Sequence, residues 1–339
     1  MPPHRQAVSV VGNLDKTPMK QYLIIIFSVL TLIACETKTQ SKTLLSEQLT
    51  EINISVDTLN ILIQGELRNV ASFRNNFYAL FETNRKNTSE RFKKMIVFNK
   101  KGEVIEDVYI PKEIQDMVYC DLIVSNDSLY VKETQFEKSN LVLGEYVADF
   151  ALTKTKDFPI FKDEVYNIYS VCNGEFGGTI YFQNLKTKKS YEAASTCPIV
   201  INKIDSQYYV TNANSVLKIQ SPEKLENSNL NFKTHQGSQF TNGIEMLFDT
   251  SNFDMDFYIA TSFIKDKKLL NLYSDKHGTY VGEIENKKMK TLFKFPFKFS
   301  AYFNQQLDNG LQILTCTYAN DKSGILIIEN KHFNFYRLN

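Results

Sequence analysis

One pattern constrains the fold of this chain more than any other. A turn, a short aromatic or aliphatic strand and a second strand entering a hairpin recur along most of its length. The first copy runs from Asn75-Asn76 through Phe77–Phe81 and Met95–Phe98 to the turn Asn99-Lys100-Lys101-Gly102 and Glu103–Ile110. The second has Asn126-Asp127-Ser128, Leu129–Val131 and Leu141–Thr153. The third has Val165–Val171, Thr179–Phe182 and Lys189–Ala193. The fourth has Asp205-Ser206-Gln207, Tyr208–Val210 and Ser215–Ile219. The fifth has Lys267-Lys268, Leu269–Tyr273, Thr279–Ile284 and Lys288–Phe295. The sixth has Asp308-Asn309-Gly310, Leu311–Cys316, Gly324–Ile328 and His332–Leu338. The first strands recur at intervals of roughly 40 to 60 residues, averaging about 47, the length of a multi-stranded propeller blade. Asn, Lys and Gly at the turns suit tight hairpins, because Asn and Gly tolerate positive φ.

The expected fold is therefore all-β: a β-propeller over residues 47–339, six blades preferred. The spacing is uneven and no signature dipeptide marks each unit, so the same strands also permit a β-sandwich or two smaller β domains. A first strand is read at Ile52–Val56, where apolar residues alternate. Short helical turns are read at Pro111–Met117 and Ser221–Asn227. With 18 Tyr, 25 Phe and no Trp, composition leans toward strand. The net charge of +1 offers no field for nucleic acid.

Few residues stand out as chemistry. Cys172 and Cys197 flank the hairpin Thr179–Phe182 against Lys189–Ala193, so its closure brings them toward disulfide range. Cys120 and Cys316 lie in apolar strand contexts and read as small core residues. Asn173–Gly178 is the most glycine-rich stretch. A strand follows it where a phosphate-binding loop would need a helix, so it reads as a tight loop. Asn252, Asp254 and Asp256, with Asp249 nearby, make a weak calcium candidate. Their alternation with Phe253, Met255 and Phe257 fits a strand with one polar face equally well. His235, His277 and His332 have no partner at metal-ligand spacing. No nucleophile elbow or zinc-binding His pair occurs, and no metal or cofactor is expected.

Met19–Cys35 sets location. Lys20 gives a positive start, Tyr22–Ile33 is apolar and uncharged, and the chain turns polar at Glu36. This is the layout of a secretory signal. The apolar run of about a dozen residues falls short of the roughly 20 that span a bilayer. Leu32-Ile33-Ala34-Cys35 resembles the lipobox of bacterial lipoproteins. The resemblance implies that residues 19–34 are removed and that Cys35 carries the acyl chains and becomes the N-terminus. The other reading of the stretch is an ordinary cleaved signal with an incidental cysteine. Residues 35–46 read as a flexible tether, and residues 1–18 as a mis-called extension before the true start at Met19.

The expected protein is thus a bacterial envelope lipoprotein, held on the membrane through Cys35, with the periplasmic face of the outer membrane preferred. It is expected to act as a non-enzymatic binding or scaffold module whose loops meet a protein, peptide or glycan, with no nucleic-acid partner. The alternatives are a glycan-processing enzyme with paired carboxylates and a helper in outer-membrane assembly.

Overall fold

The computed structural model describes residues 53–59, 65–84, 91–116, 120–125, 128–133, 144–145, 150–152, 158–172, 177–230, 242–250, 257–307, 310–319, 322–329 and 332–338. Glu51–Asn339 is one compact unit. Its described residues are almost wholly β, arranged as six separate sheets of four or five strands.

β1 (Asn53–Leu59) opens the unit and joins the last sheet. The first sheet is β2 (Glu66–Phe73), β3 (Asn76–Asn84), β4 (Arg91–Phe98) and β5 (Val104–Val108), in chain order. A four-residue helix, α1 (Lys112–Gln115), leads to the second sheet. That sheet is β6 (Cys120–Ser125), β7 (Ser128–Glu133), β9 (Phe150–Leu152) and β8 (Gly144–Glu145). The third is β10 (Phe161–Lys162), β11 (Tyr166–Cys172), β12 (Gly178–Asn184) and β13 (Ser190–Ala194). The fourth is β14 (Pro198–Ile204), β15 (Gln207–Asn212), β16 (Ser215–Ile219) and β18 (Ile244–Asp249). Between its last two strands, a 3-10 turn at Pro222–Lys224 and β17 (Glu226–Ser228) return to the edge of the third sheet. The fifth is β19 (Tyr258–Lys265), β20 (Lys268–Asp275), β21 (Gly278–Glu285) and β22 (Lys288–Lys294). The sixth is β23 (Phe299–Gln306), β24 (Gln312–Tyr318), β25 (Lys322–Glu329) and β26 (His332–Leu338). β1 lies parallel to β26 on its outer edge, from Asn53 opposite His332 to Leu59 opposite Leu338.

Local chemistry explains the hairpins. Arg74-Asn75, Asp266-Lys267 and Asn286-Lys287 hold positive φ at both residues, as two-residue hairpin turns require. Asn99 closes the β4–β5 turn by accepting the Lys101 and Glu103 backbone N–H groups on its Oδ1.

The core lies between sheets. Ala71, Leu80 and Met95 of the first sheet pack with Leu122, Leu129 and Val131 of the second, and α1 adds Ile114. Ile168, Ile180 and Phe182 of the third meet Ile201, Tyr208 and Leu217 of the fourth. Val216 and Phe248 of the fourth meet Ile259 and Tyr273 of the fifth. Leu272 and Val281 of the fifth meet Leu314, Phe333 and Phe335 of the sixth. Ile313, Ile325 and Leu338 of the sixth pack back on Phe77, Phe81 and Phe98 of the first. Each fully buried Phe or Leu contributes about 1.5–3 kcal/mol of transfer free energy.

The sequence pattern predicts two or three strands in most units, and each sheet has at least four. The strands it passes over include β2, β14, β19 and β23, which open their sheets. Each carries a β-bulge. Pairing steps from Leu67–Phe81 to Asn69–Leu80, so Arg68 is the extra residue in β2. Ile199, Ala260 and Asn304 are the extra residues in β14, β19 and β23. An inserted residue breaks the period-two alternation on which strand recognition rests.

Cys172 and Cys197 are joined by a disulfide, with Cα atoms 4.5 Å apart. Cys172 lies opposite Gly178 across the β11–β12 ladder. The Ser195 N–H donates to the Gly178 carbonyl from the other side, so the bond crosses over Gly178. Cys120 and Cys316 are thiols. Burial holds the Cys316 thiol well above its ordinary pKa.

Candidate functional site

A cleft of about 610 Å³ opens where the first, second and sixth sheets meet. That volume lies within the range of small-ligand sites, roughly 300–1,000 Å³. Its wall is built on β2, β3, β4, β6, β23 and β24. Two bulge residues, Arg68 and Asn304, line it. Bulges re-aim side chains away from the regular pleat, and here they turn an arginine and an asparagine toward one space.

The charged groups of the cleft are held by neighbours. Arg68 Nε donates to Glu82 Oε2 at 2.8 Å, and its Nη1 to Glu66 Oε1 at 2.9 Å. Lys93 lies opposite Glu82 on the β3–β4 ladder and is clamped by Gln115 of α1. Its N–H donates to Gln115 Oε1 at 2.7 Å, and its Nζ to the Gln115 carbonyl at 2.8 Å. Gln115 Nε2 returns a bond to the Lys93 carbonyl at 2.6 Å. Asp121 accepts from Asn69 Nδ2 at 3.2 Å, while Asn69 Oδ1 accepts the Leu122 N–H. These bonds tie β2 to β6 and α1 to β4, so the floor is rigid.

The wall from the sixth sheet differs. Tyr302 stands 56% exposed, braced by the Tyr258 ring 5.9 Å away. It lies directly opposite Thr315, with Thr317 two residues further on the same face. Asn304 Oδ1 is buried and accepts no hydrogen bond. Beside it, Gln305 Oε1 accepts the Ser72 N–H at 2.9 Å, joining β23 to β2.

Two further polar clusters lie outside the cleft. Asp163 accepts from Lys203 Nζ at 2.7 Å, Tyr208 OH at 2.6 Å, and the Val165 and Tyr166 N–H groups. Burial pushes its carboxyl up, but these four bonds outweigh that and hold it below the ordinary value. Between the fourth, fifth and sixth sheets, Asn202 Nδ2 donates to Ser262 Oγ at 2.9 Å. Gln312 Nε2 donates to the Ser262 carbonyl at 2.7 Å, and Thr211 bonds to the Ser262 hydroxyl. Asn271 is fully buried beside them, opposite Ser262 on the ladder, and neither of its amide atoms has a partner. Both clusters fasten elements together.

Of the described residues singled out as chemistry in the sequence, the cleft includes only Cys120. Cys35, Asn252, Asp254, Asp256 and His235 lie outside the described residues. Among the described residues no group of three His, Cys, Asp or Glu could hold a metal ion. His277 and His332 are exposed. Sequence reasoning missed Arg68, Tyr302 and Asn304 because they sit on bulged strands whose alternation is interrupted. The one signal within reach was polar residues embedded in β-rich segments, as in Phe299–Gln306.

No family model and no curated protein matches the chain. Among solved structures, it is similar to a chain of the S. cerevisiae complex of Dbp5 with Nup159, Gle1, IP6 and ADP. That likeness has 10% identity and a TM-score of 0.30, over 84% of each chain. It is also similar to the N-terminal domain of Nup159, at 10% identity and a TM-score of 0.28, over 86% of this chain and 77% of that one. Likeness at this level assigns neither fold nor function.

Proposed function

We propose that this chain is a lipid-anchored envelope protein whose β unit is a six-bladed propeller serving as a non-enzymatic binding module. The cleft between the first, second and sixth sheets carries the binding reading. It has the volume of a ligand site, a braced polar floor and a half-exposed aromatic wall. The propeller reading is supported by six small sheets in chain order and by the packing of the sixth sheet on the first. Envelope location is supported by the Leu32–Cys35 resemblance and by a disulfide, which persists in oxidising compartments. Lipid on Cys35 is the membrane attachment, on the periplasmic face of the outer membrane.

The test grows the full chain and its Cys35→Ser variant in a bacterial host with an alkyne-labelled fatty acid. Label and membrane retention in the parent, both lost in the variant, support the anchor. An unlabelled parent sinks it.

A second reading keeps one observation in its favour: the carboxylates Glu82 and Asp121 line the same cleft. Two acids across a cleft are what glycoside cleavage uses. Oligosaccharide incubated with the full chain decides between the two. New reducing ends that vanish in Glu82→Gln would replace the binding module with an enzyme.

A further inference from the structure

The cleft's uncommitted groups specify a ligand chemistry, an inference that rests on the cleft being a binding site. Each charged side chain that lines it is already engaged: Arg68 by Glu66 and Glu82, Lys93 by Gln115, Asp121 by Asn69. A charged ligand would have to break one of these bonds to gain its own, and most of the gain would be lost. The groups left over are neutral. Asn304 lines the cleft, and its side-chain amide makes no hydrogen bond to another described residue: Oδ1 is shielded, and Nδ2 is left to donate to a ligand. The hydroxyls of Thr315 and Thr317 bond to no other described residue, and they line the same wall. Beside them the Tyr302 ring stands 56% exposed and is held in place by Tyr258. An aromatic face next to unsatisfied neutral hydrogen-bonding groups suits a ligand with both C–H faces and hydroxyl edges.

We propose that the cleft binds a neutral glycan, one sugar ring stacking on Tyr302 while a hydroxyl accepts from Asn304 Nδ2. Bulge placement supports this, because Asn304 is the one residue of β23 without a ladder partner, and a bulge costs regular pairing.

The test uses the detergent-solubilised full chain and titration calorimetry against maltotetraose, cellotetraose, chitotetraose and mannotetraose, with an anionic oligogalacturonate and an uncharged tetrapeptide as controls. At least one neutral oligosaccharide is expected to bind. Tyr302→Ala and Asn304→Leu should each weaken it about ten-fold. Tyr302→Phe keeps the stacking face and should retain most of the affinity. Kd should hardly change between about 50 mM and about 500 mM salt, since no charge is paired on binding. Thermal unfolding of each variant, matching the parent, separates loss of the site from loss of the fold. No binding by any neutral oligosaccharide overturns the proposal, as does binding indifferent to Tyr302 and Asn304. Binding of the oligogalacturonate or the tetrapeptide alone, lost in Asn304→Leu, would overturn the neutral-glycan assignment while leaving the cleft a binding site.

Discussion

Asp163 shows how much one side chain can hold. It gathers a lysine, a tyrosine and two backbone N–H groups, linking the β10–β11 loop to β14 and β15. Because its folded pKa is depressed, it stabilises the protein above the unfolded value of about 4, and that contribution is lost as pH falls through the folded value. Asp163→Asn should therefore cost about 2–3 kcal/mol near neutral pH. Urea unfolding of parent and variant, repeated from about pH 7 to about pH 2, should show the gap closing on the acid side. A gap independent of pH would show that the carboxylate charge is not the source. Gly178 is constrained by space. A Cβ there would lie 2.5 Å from the Ser195 carbonyl oxygen and 2.6 Å from that of Val171, both backbone. Gly178→Ala should cost about 2–3 kcal/mol by forcing those strands apart. It should also leave more Cys172 and Cys197 reduced after oxidative refolding, measured by thiol titration; full disulfide formation and parental stability would contradict the crowding at Gly178.

Among elements, the outer edges are handled differently from sheet to sheet. β22 carries Lys288, Lys290 and Lys294 along its exposed edge, a charge that discourages pairing with another chain. β5 is also a sheet edge, yet it exposes Val104 at 56% and Ile105 at 55%, with Tyr109 just beyond at 82%. Ile105→Lys should lower concentration-dependent aggregation on heating and leave the unfolding midpoint within about 2 °C; unchanged aggregation would show that another surface drives it. The same scale explains what the sequence disclosed. The hairpins Tyr208–Val210 with Ser215–Ile219, and Leu269–Tyr273 with Thr279–Ile284, were legible because short aromatic and aliphatic runs are bounded by turns rich in Asn, Lys and Gly. β2, β14, β19 and β23 were not, since Arg68, Ile199, Ala260 and Asn304 interrupt the alternation and no hairpin turn announces them; β5 and β22 are bulged too, at Ile105 and Leu292, but follow the legible turns Asn99–Gly102 and Glu285–Lys287. The cleft's Arg68, Tyr302 and Asn304 lie on two of these strands, so the feature that shapes the site also hid it. Its residues meet only where the first, second and sixth sheets come together, and more than 200 residues separate Arg68 from Asn304, a juxtaposition no local pattern encodes.

At the scale of the whole β unit, what matters is how the two ends of the chain meet. β1 comes from the start of the unit and pairs with β26 at its end over seven residue pairs. The sixth sheet packs on the first through Ile313, Ile325 and Leu338. If the sheets close on themselves, β1 is the strand that fastens the closure, and weakening it should loosen every sheet together. Successive N–H groups of a strand point to opposite edges, so of two neighbouring residues on β1 one donates toward β26. Proline there removes that donor, whereas proline at the other faces away and is tolerated at an edge. Ile54→Pro and Ser55→Pro should therefore differ. One should lower the unfolding midpoint by several degrees in a single cooperative transition, and the other much less. Circular dichroism and calorimetry on the full chain read both quantities. A separate early transition for the sixth sheet would mean that it unfolds apart from the others. Two variants as stable as the parent would mean that β1 decorates the sixth sheet without closing anything, and the six sheets would then owe their order to the inter-sheet cores alone.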